Sequence, residues 1–399
     1  MSVRSGGGAK AGTVSDSGLE SVRARLAQLG AHPTSQQIST AIAKENLVFG
    51  DRALAALTND FETALRGAGP LQPLIEDPEV TDVLVNGPDQ IWVDRGRGME
   101  QSTVRLGSDQ DLRALAVRLA ATGGTRLDDS QPMVDARLPD GSRLHAMLRP
   151  LCEPAAVISI RTLRARPLTL AQLVVGKTLP DAWEPVLRAL VSQRVNFLIS
   201  GATGSGKTTL LATLLGLVDR RERIITIEES RELRPAHPHV LALETKRSNV
   251  EGIGEVDQAD LVRNALRMRP DRIVLGECRG VEVRDMLGAL NTGHEGGCAT
   301  IHANSAYDIP ARLEALGALA GLDRLAVAAQ AASAIDVLVH VRRQLVAGRS
   351  HRIISEFAML RRDPVGFLTA EPALVWDGEG SPQVLGAVGQ ELLARLGLQ

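Results

Sequence analysis

Aromatic residues are scarce in this chain, whose 399 residues include only three Trp, one Tyr and five Phe. Proteins that hold single-stranded nucleic acid usually stack the bases on aromatic side chains. The net charge of −2 also provides no overall attraction for a phosphate backbone. The composition therefore disfavours nucleic acid as a direct partner, and we expect no direct contact with it.

Cysteine and long apolar runs are scarce as well. Cys152, Cys278 and Cys298 form no CxxC pair, which argues against a zinc site or a disulfide framework and suits a reducing compartment. No run approaches the roughly 20 apolar residues that span a bilayer, and the Gly/Ser-rich start lacks the apolar segment of a signal peptide. We therefore expect a cytoplasmic protein whose contact with a membrane is peripheral.

The composition and the spacing of apolar residues change along residues 1–178. Residues 1–18 are rich in Gly and Ser and predict a disordered tail, whereas the apolar spacing of residues 19–68 predicts a helical extension. Residues 69–165 contain short strand-like runs, including a hairpin around Pro139-Asp140-Gly141, and predict a small α+β domain. Residues 166–178 carry a proline and little periodicity, and we interpret them as a linker.

From about Leu179 to residue 345 apolar strands and helices alternate. This alternation predicts a largely parallel sheet covered by helices on both faces. Residues 346–399 are interrupted by Gly and Pro, and we expect a C-terminal tail with strands and no assigned function.

A phosphate-binding motif lies near the start of this alternating region. Gly201–Thr208 matches G-x-x-x-x-G-K-[ST] between an apolar strand and an apolar helix. Glycines allow the backbone N–H groups to surround phosphate oxygens, Lys207 would reach the β- and γ-phosphates, and the Thr208 hydroxyl would bind Mg²⁺. The sequence therefore predicts a site for ATP and Mg²⁺ formed by Gly201, Ala202, Thr203, Gly204, Ser205, Gly206, Lys207, Thr208 and Thr209.

Two further predicted strands end in carboxylates. Ile224–Ile227 runs into Glu228 and Glu229, and the strand from Ile273 runs into Glu277. The carboxyl ends of parallel strands lie at the nucleotide edge of such a sheet. Acids there can hold the water shell of Mg²⁺ or align the attacking water, although a single Glu after a strand is more often a helix cap or a solvated charge.

His294 and His302 lie on either side of another predicted strand. A lone histidine is more often structural, and two histidines cannot form a zinc site without further ligands. Polar residues at such a strand end could instead sense the γ-phosphate. The spacing leaves both interpretations open.

Several segments, in order, resemble the CpaF-type ATPases of the type II/type IV secretion superfamily, which drive Tad (Flp) pili. They include ISGATGSGKTTLL, IITIEES, LVRNALRMRPDRIVLGECRG, NTGHEGGCATIHANS and PMVDARLPDGSRLHAML, and the resemblance covers about Gly69 to Val341. It implies an α/β fold with a RecA-like P-loop core and a smaller α+β (PAS-like) N-terminal domain. It further implies a homo-hexamer docked on a platform protein at the cytoplasmic face of the inner membrane.

The resemblance also implies roles for single residues. Glu228 would be the water-activating base, and Thr208, Glu229 and Glu277 would hold Mg²⁺, partly through water. The remaining implied catalytic residues are Lys207, His294 and His302, with Arg143, Arg161 and Arg279 as phosphate-facing charges. The acidic segment of the family ends Glu-Asp-Ala, whereas this chain has Glu228-Glu229-Ser230, so which of the two acids is the base stays open.

These observations support a hexameric, Mg²⁺-dependent ATPase that powers assembly of Tad/Flp-type pili or type II-like protein secretion. One alternative within the same fold is a traffic ATPase of a conjugative type IV system that moves DNA or protein. An alternative of another class is an ATP-binding switch or scaffold that does not hydrolyse ATP. A small-molecule kinase would need an acceptor pocket and a lid that the sequence does not indicate.

Overall fold

The computed structural model describes Thr40 and residues 67–96, 98–162, 167–246, 254–346 and 349–398. The predicted tail at 1–18 lies outside these ranges, as does the helical extension at 19–68 apart from Thr40, which is helical, and its last two residues. The chain separates into two compact units, Met1–Leu163 and Arg164–Gln399.

Unit 1 is built on an antiparallel sheet of six strands in the order β3-β2-β1-β6-β5-β4. Its elements are α1 (Gln72–Glu76), β1 (Asp82–Gly87), β2 (Gln90–Asp94), β3 (Met99–Gln101), α2 (Asp109–Thr122), β4 (Met133–Arg137), β5 (Arg143–Leu148) and β6 (Ala156–Arg161). The predicted hairpin is confirmed, because β4 and β5 pair in antiparallel register.

The core of unit 1 follows from the alternation of its strands. Along β5 and β6 every second side chain is buried, as expected for a sheet with one covered face. Helix α2 supplies Leu112, Leu115 and Leu119 to the same apolar cluster. The helix begins at Ser108, whose hydroxyl and backbone N–H exchange hydrogen bonds with Asp111 in a capping box.

Unit 2 begins with helices and then alternates strands with helices. Its elements are α3 (Leu170–Val175), α4 (Glu184–Ser192), β7 (Phe197–Gly201), α5 (Lys207–Leu215), β8 (Ile224–Glu228), β9 (Val240–Glu244), α6 (Gln258–Ala265), β10 (Arg272–Cys278), α7 (Glu282–Asn291), β11 (Cys298–His302), α8 (Ile309–Leu319), α9 (Arg324–Ala334), β12 (Val337–Val346), β13 (Arg349–Arg362), β14 (Leu368–Val375), β15 (Gln383–Val384) and α10 (Gly386–Arg395).

These strands form one sheet of nine in the order β15-β14-β13-β12-β7-β11-β10-β8-β9. The strands from β12 to β9 are parallel, and β13 to β15 continue the sheet as antiparallel strands. Neighbouring residues of β7 enter two separate cores, Ile199 on one face and Leu198 on the other. The predicted parallel sheet with two covered faces is therefore confirmed.

The structure differs from the predicted divisions of the chain at two places. Residues 166–178, interpreted as a linker, include α3, whose Leu170 and Leu173 are buried in the core of unit 2. The boundary expected after residue 345 falls within β12, and β13 pairs along that strand. Some of the glycines and prolines in this region, such as Pro364 and Gly366, lie in turns between strands, so they interrupt the sequence without ending the sheet.

A buried ion pair holds the amino-terminal edge of the sheet in unit 2. Arg272 on β10 is 2% exposed, and its guanidinium donates to both carboxylate oxygens of Glu222 at 2.8 and 3.1 Å. A further bond runs from Arg272 to the Val191 carbonyl at 2.9 Å. Removing one partner of a buried pair leaves an uncompensated charge, which is far more costly than losing an exposed pair.

We therefore expect Glu222→Ala to lower the free energy of unfolding by about 3 kcal/mol, because Arg272 remains buried without its carboxylate. Glu184→Ala, which removes a more exposed pair with Arg188, serves as the control and should cost less than about 1 kcal/mol. Urea denaturation followed by circular dichroism measures both values. Equal losses in the two variants would contradict this account of the edge.

Candidate nucleotide site

Strand β7 leads directly into the loop of the phosphate-binding motif, and α5 begins at Lys207. Gly204 and Gly206 have φ values of 72° and 101°, which side chains with a Cβ rarely adopt. A Cβ at Gly201 would lie 2.2 Å from the carbonyl oxygen of Val341 on β12. Glycine is therefore required both by the turn of the loop and by the approach of β12.

Lys207 is held inside the loop and is 8% exposed. Its Nζ donates to the carbonyl oxygens of Gly201 at 2.9 Å and Ala202 at 3.1 Å. Burial lowers the pKa of Lys207, while the charge of Glu277 acts in the opposite direction. The ammonium group thus lies in a cradle of carbonyls at the point where the loop would receive phosphates.

The loop also presents polar side chains. The hydroxyl of Ser205 is fully buried and has no hydrogen-bond partner among the described residues. The hydroxyl of Thr203 lies 3.5 Å from Nδ1 of His302, the last residue of β11. The structure therefore brings His302 to the loop, which the sensor interpretation requires.

Glu228 ends β8 and is 5% exposed. Its Oε1 accepts hydrogen bonds from the backbone N–H groups of Glu232 and Leu233, both at 3.0 Å. A Cβ at Gly276 of the adjacent strand β10 would lie 2.6 Å from Cγ of Glu228. Glu228 is thus fixed by its own loop on one side and by the bare backbone of β10 on the other.

Arg279 connects the other two acids of the site. Its Nη2 donates to Glu277 at 2.7 Å and its Nη1 to Glu229 at 3.1 Å, and the bond to Glu277 is the largest cause that raises the pKa of Arg279. Glu229 is 54% exposed, in contrast to the buried Glu228. The structure therefore gives the two adjacent glutamates different environments, which the sequence could not distinguish.

His294 lies away from the loop. Its Nδ1 is 3.2 Å from the carbonyl of Ala289 at the end of α7, and the nearby carbonyl of Gly297 accepts from the N–H of Phe197, where β7 begins. His294 is therefore at the amino-terminal edge of the sheet, whereas His302 is at the carboxyl edge. Within unit 2 the two histidines do not form one cluster.

The predicted arginines of the N-terminal domain lie in unit 1. Arg161 ends β6, and its Nε donates to Asp82 at 3.0 Å, which is the salt bridge within its own domain expected of a structural arginine. Arg143 lies directly opposite Arg161 on β5. The two side chains therefore share one end of the sheet of unit 1.

Two further residues near the loop belong to β12 and β13. Nδ1 of His340 on β12 lies 2.9 Å from the hydroxyl of Ser200, and burial lowers the pKa of His340. Nε of Arg352 on β13 donates to the carbonyl of Gly204 at 2.9 Å. Both are separated from the loop by more than a hundred residues, so the spacing of the loop motif does not indicate their contacts with it.

The arrangement fits ATP and Mg²⁺. A glycine loop with the buried, unpartnered hydroxyl of Ser205 and the held ammonium of Lys207 can receive phosphates. Thr208, Glu229 and Glu277 are oxygen donors suited to Mg²⁺, which keeps several of its waters. No cluster of three His, Cys, Asp or Glu side chains that could hold a metal occurs among the residues the structure describes, so such a cation would depend on water and phosphate ligands.

The fold and the loop define a P-loop nucleotide-binding α/β protein. A more specific assignment comes from comparison with known families: the family described as "Type II/IV secretion system protein" matches residues 64–369. The chain belongs to this family of secretion ATPases. This family is broader than the group of CpaF-type ATPases that the sequence motifs resemble.

Individual relatives and a solved structure agree with this family assignment. A Mycobacterium tuberculosis protein whose name refers to conjugal transfer is 49% identical over 321 residues, covering 79% of this chain and 90% of the relative. The type IV secretion system protein PtlH of Bordetella pertussis is 33% identical, covering 71% and 91%. The pilus retraction motor PilT, at 22% identity and a TM-score of 0.52 over 73% of this chain and 82% of that one, shows the shared fold.

None of the helices in the described ranges is sufficiently long and apolar to span a bilayer.

The close fit of Glu228 against Gly276 yields a test of the site. Gly276→Ala should push the carboxylate of Glu228 out of its two backbone hydrogen bonds and lower ATP turnover about tenfold to a hundredfold, while nucleotide affinity stays within about threefold. Steady-state turnover and calorimetric binding measure the two effects. Gly288→Ala is the matched control, because a Cβ there meets nothing within 4 Å; the same loss in both variants would contradict the assignment.

Proposed function

We propose that this protein hydrolyses ATP with Mg²⁺ and uses the energy to drive transport through a membrane-associated secretion apparatus. The observation that carries the proposal is the loop Gly201–Thr208, with Lys207 in its carbonyl cradle and the acids Glu228 and Glu277 on the neighbouring strands β8 and β10. Membership of the type II/IV secretion family supports the same activity.

Binding of ATP would begin at the loop. The backbone N–H groups and Lys207 would hold the β- and γ-phosphates, and the hydroxyl of Thr208 would hold Mg²⁺ together with Glu229 and Glu277, partly through water. When bound, Mg²⁺ neutralises charge that builds on the phosphate oxygens. Arg279 occupies both acids in this structure, so it must release at least one carboxylate for them to serve the cation.

Glu228 is the proposed base for the attacking water. A base must hold a fixed position within hydrogen-bond reach of that water, and the two backbone donors and the contact with β10 fix this carboxylate. The exposed Glu229 is better placed to face a hydrated cation. The structure thus supports one division of the two roles that the sequence left open.

The positive charges of the transition state are proposed to come from Arg143, Arg161 and Arg279. Arginine suits this role because its planar fork pairs two phosphate oxygens and stays charged at neutral pH. Arg161 is 59% exposed and paired with Asp82, so it would exchange that carboxylate for phosphate when the domains close. If Arg161→Ala hydrolysed ATP at the wild-type rate, a role of Arg161 in the transition state would be refuted. We propose His302 as the sensor at the loop, because it lies beside Thr203. His294 lies away from the loop, and we propose no catalytic role for it.

The working form is proposed to be a homo-hexamer that docks peripherally on a platform protein at the cytoplasmic face of the inner membrane. The family supports this assembly, since ring motors of this kind couple domain closure to work on a partner. Nucleic acid need not touch the motor itself, in keeping with the scarcity of aromatic residues.

The names of two relatives bear on which cargo the protein helps to transport. The names of the Mycobacterium tuberculosis and Bordetella pertussis relatives refer to conjugal transfer and type IV secretion, and they favour a conjugative or type IV traffic ATPase over the Tad/Flp pilus motor. The interpretation as a Tad/Flp pilus motor depends on the CpaF-like motifs and stays the second candidate. We therefore propose type IV-like traffic as the cellular task.

Cells that carry only the Lys207→Ala protein should lose the transport step, because the motor cannot turn over while its complex can still assemble. Conjugal transfer of DNA, secretion of protein and surface pili are to be scored in the same strains, with re-expression of the wild-type chain as the control. Loss of pili alone would favour the Tad reading, and no loss of any of the three would exclude a transport motor.

A variant of the proposed base distinguishes an ATPase from the alternative of a switch that does not hydrolyse ATP. Glu228→Gln keeps the shape of the side chain but cannot accept a proton, so ATP should bind with near-normal affinity and turnover should fall by about a hundredfold or more. Glu184→Gln, which alters a carboxylate paired with Arg188 outside the site, is the control and should turn over normally and trap no ATP. Nucleotide recovered with each variant and steady-state phosphate release measure the outcome.

Two results would count against this assignment. Normal turnover in Glu228→Gln together with trapping in Glu277→Gln would show that the roles of these acids are reversed. Absence of phosphate release from the wild-type protein with intact ATP binding would support the switch instead.

A further inference from the structure

A buried hydrogen bond lies at the residue that precedes the phosphate loop. Ser200 and His340 are partners on the parallel strands β7 and β12, and Nδ1 of His340 lies 2.9 Å from the hydroxyl oxygen of Ser200. Both side chains are buried, with exposed fractions of 0% and 4%. Ser200 is followed by Gly201, whose carbonyl accepts from Lys207. His340 is therefore bonded to the last residue before the loop.

His340 also reaches the connection that follows β11. Burial is the largest effect on the pKa of His340 and lowers it, whereas a hydrogen bond with the backbone of Asn304 raises it. A bond that raises the pKa of an imidazole favours the protonated ring, so the ring is the donor and the carbonyl of Asn304 is the acceptor. Asn304 lies two residues after His302, whose ring faces the hydroxyl of Thr203 in the loop.

The two bonds require one donor and one acceptor on the ring of His340. Neutral imidazole supplies this combination, with an N–H on one nitrogen and a lone pair on the other. Burial favours the neutral form, because it lowers the pKa of the ring. With one proton committed to Asn304, Nδ1 accepts from the hydroxyl of Ser200. One buried side chain thus holds two separate segments of the backbone.

The strand that carries His340 is irregular at this point. The pairing of β12 with β13 shifts between His340 and Val341, so Ser355 of β13 is an extra residue. Bulges of this kind re-aim side chains and are frequent beside functional sites. The carbonyl of Val341 is also the group against which Gly201 fits. Strand β12 therefore meets the start of the loop through both a side chain and its backbone.

We propose that His340 is a positioning residue of the nucleotide site. Its ring links the end of β7, at Ser200, to the connection after β11, at Asn304, and thereby holds His302 beside Thr203 of the loop. Strands β12 and β11 lie on opposite sides of β7, so the side chain of His340 joins two strands that do not pair with each other. This role rests on the proposed hydrolysis of ATP and on His302 as its sensor.

Turnover and ATP affinity of the full chain test this role. His340→Leu removes both hydrogen bonds and should lower kcat about tenfold, because small displacements near a reacting group are costly, while ATP affinity stays within about threefold. His340→Gln carries both a donor and an acceptor and should recover most of the turnover. Ser200→Ala removes one of the two bonds and should cause a smaller loss of kcat.

A double-mutant cycle tests whether the effect passes through His302. His302→Ala should itself lower kcat, and His340→Leu added to it should cause little further loss, because the effects of coupled residues are not additive. Asn196→Ala is the control at the opposite end of β7, where it removes buried hydrogen bonds to the carbonyl of Ala334 and the N–H of Gly297. It should leave kcat unchanged in protein that is folded by circular dichroism.

The outcomes separate this role from the proposed function. A wild-type protein that releases no phosphate would refute hydrolysis of ATP, and the role of His340 with it. If the wild type is active, an unchanged kcat in His340→Leu or in His302→Ala would overturn the positioning role alone. Additive losses in the double variant, no recovery in His340→Gln, or an equal loss in Asn196→Ala would overturn it as well. If His340→Leu does not fold, Ser200→Ala decides by the same cycle.

Discussion

A buried ammonium group needs carbonyl oxygens around it, and the nucleotide site depends on how this chain meets that need. Lys207 is turned inward onto the carbonyls of Gly201 and Ala202, because glycines allow the loop to close while the helix starts at the lysine itself. Desolvation disfavours the charged form, so the loop, the neighbouring strand and the nearby Glu277 together keep a cation at a point that excludes most water.

The parallel sheet converts that local arrangement into a site. Since parallel strands end at one edge, β8, β10 and β11 deliver Glu228, Glu277 and His302 toward the loop from distant parts of the sequence. Packing then distinguishes chemically similar residues: the missing side chain at Gly276 makes room for Glu228, whereas Glu229 remains exposed and paired with Arg279. Differences of burial and hydrogen bonding, rather than of residue type, set the environments of the acids.

The sequence predicted what depends on local pattern. The phosphate loop, the acids at strand ends and the doubly covered parallel sheet follow from glycine spacing and apolar alternation. The strands expected after residue 345 are present. Helix α3 and the continuation of β12 past that residue were not predicted, because Gly and Pro mark turns whether or not the next strand rejoins the sheet. Arg352 could not be predicted, because its contact with Gly204 depends on pairing across nearly the whole unit and leaves no trace in spacing.

The position of β7 between β11 and β12 has a consequence for synthesis of the protein. Within unit 2 the loop strand is translated early, but Val341, against which Gly201 fits, follows it by well over a hundred residues. Contacts of such long range form late and slow the folding of a domain, and domains made on the ribosome fold as units. In a nascent chain the phosphate loop therefore reaches the arrangement described here only after β12 has emerged.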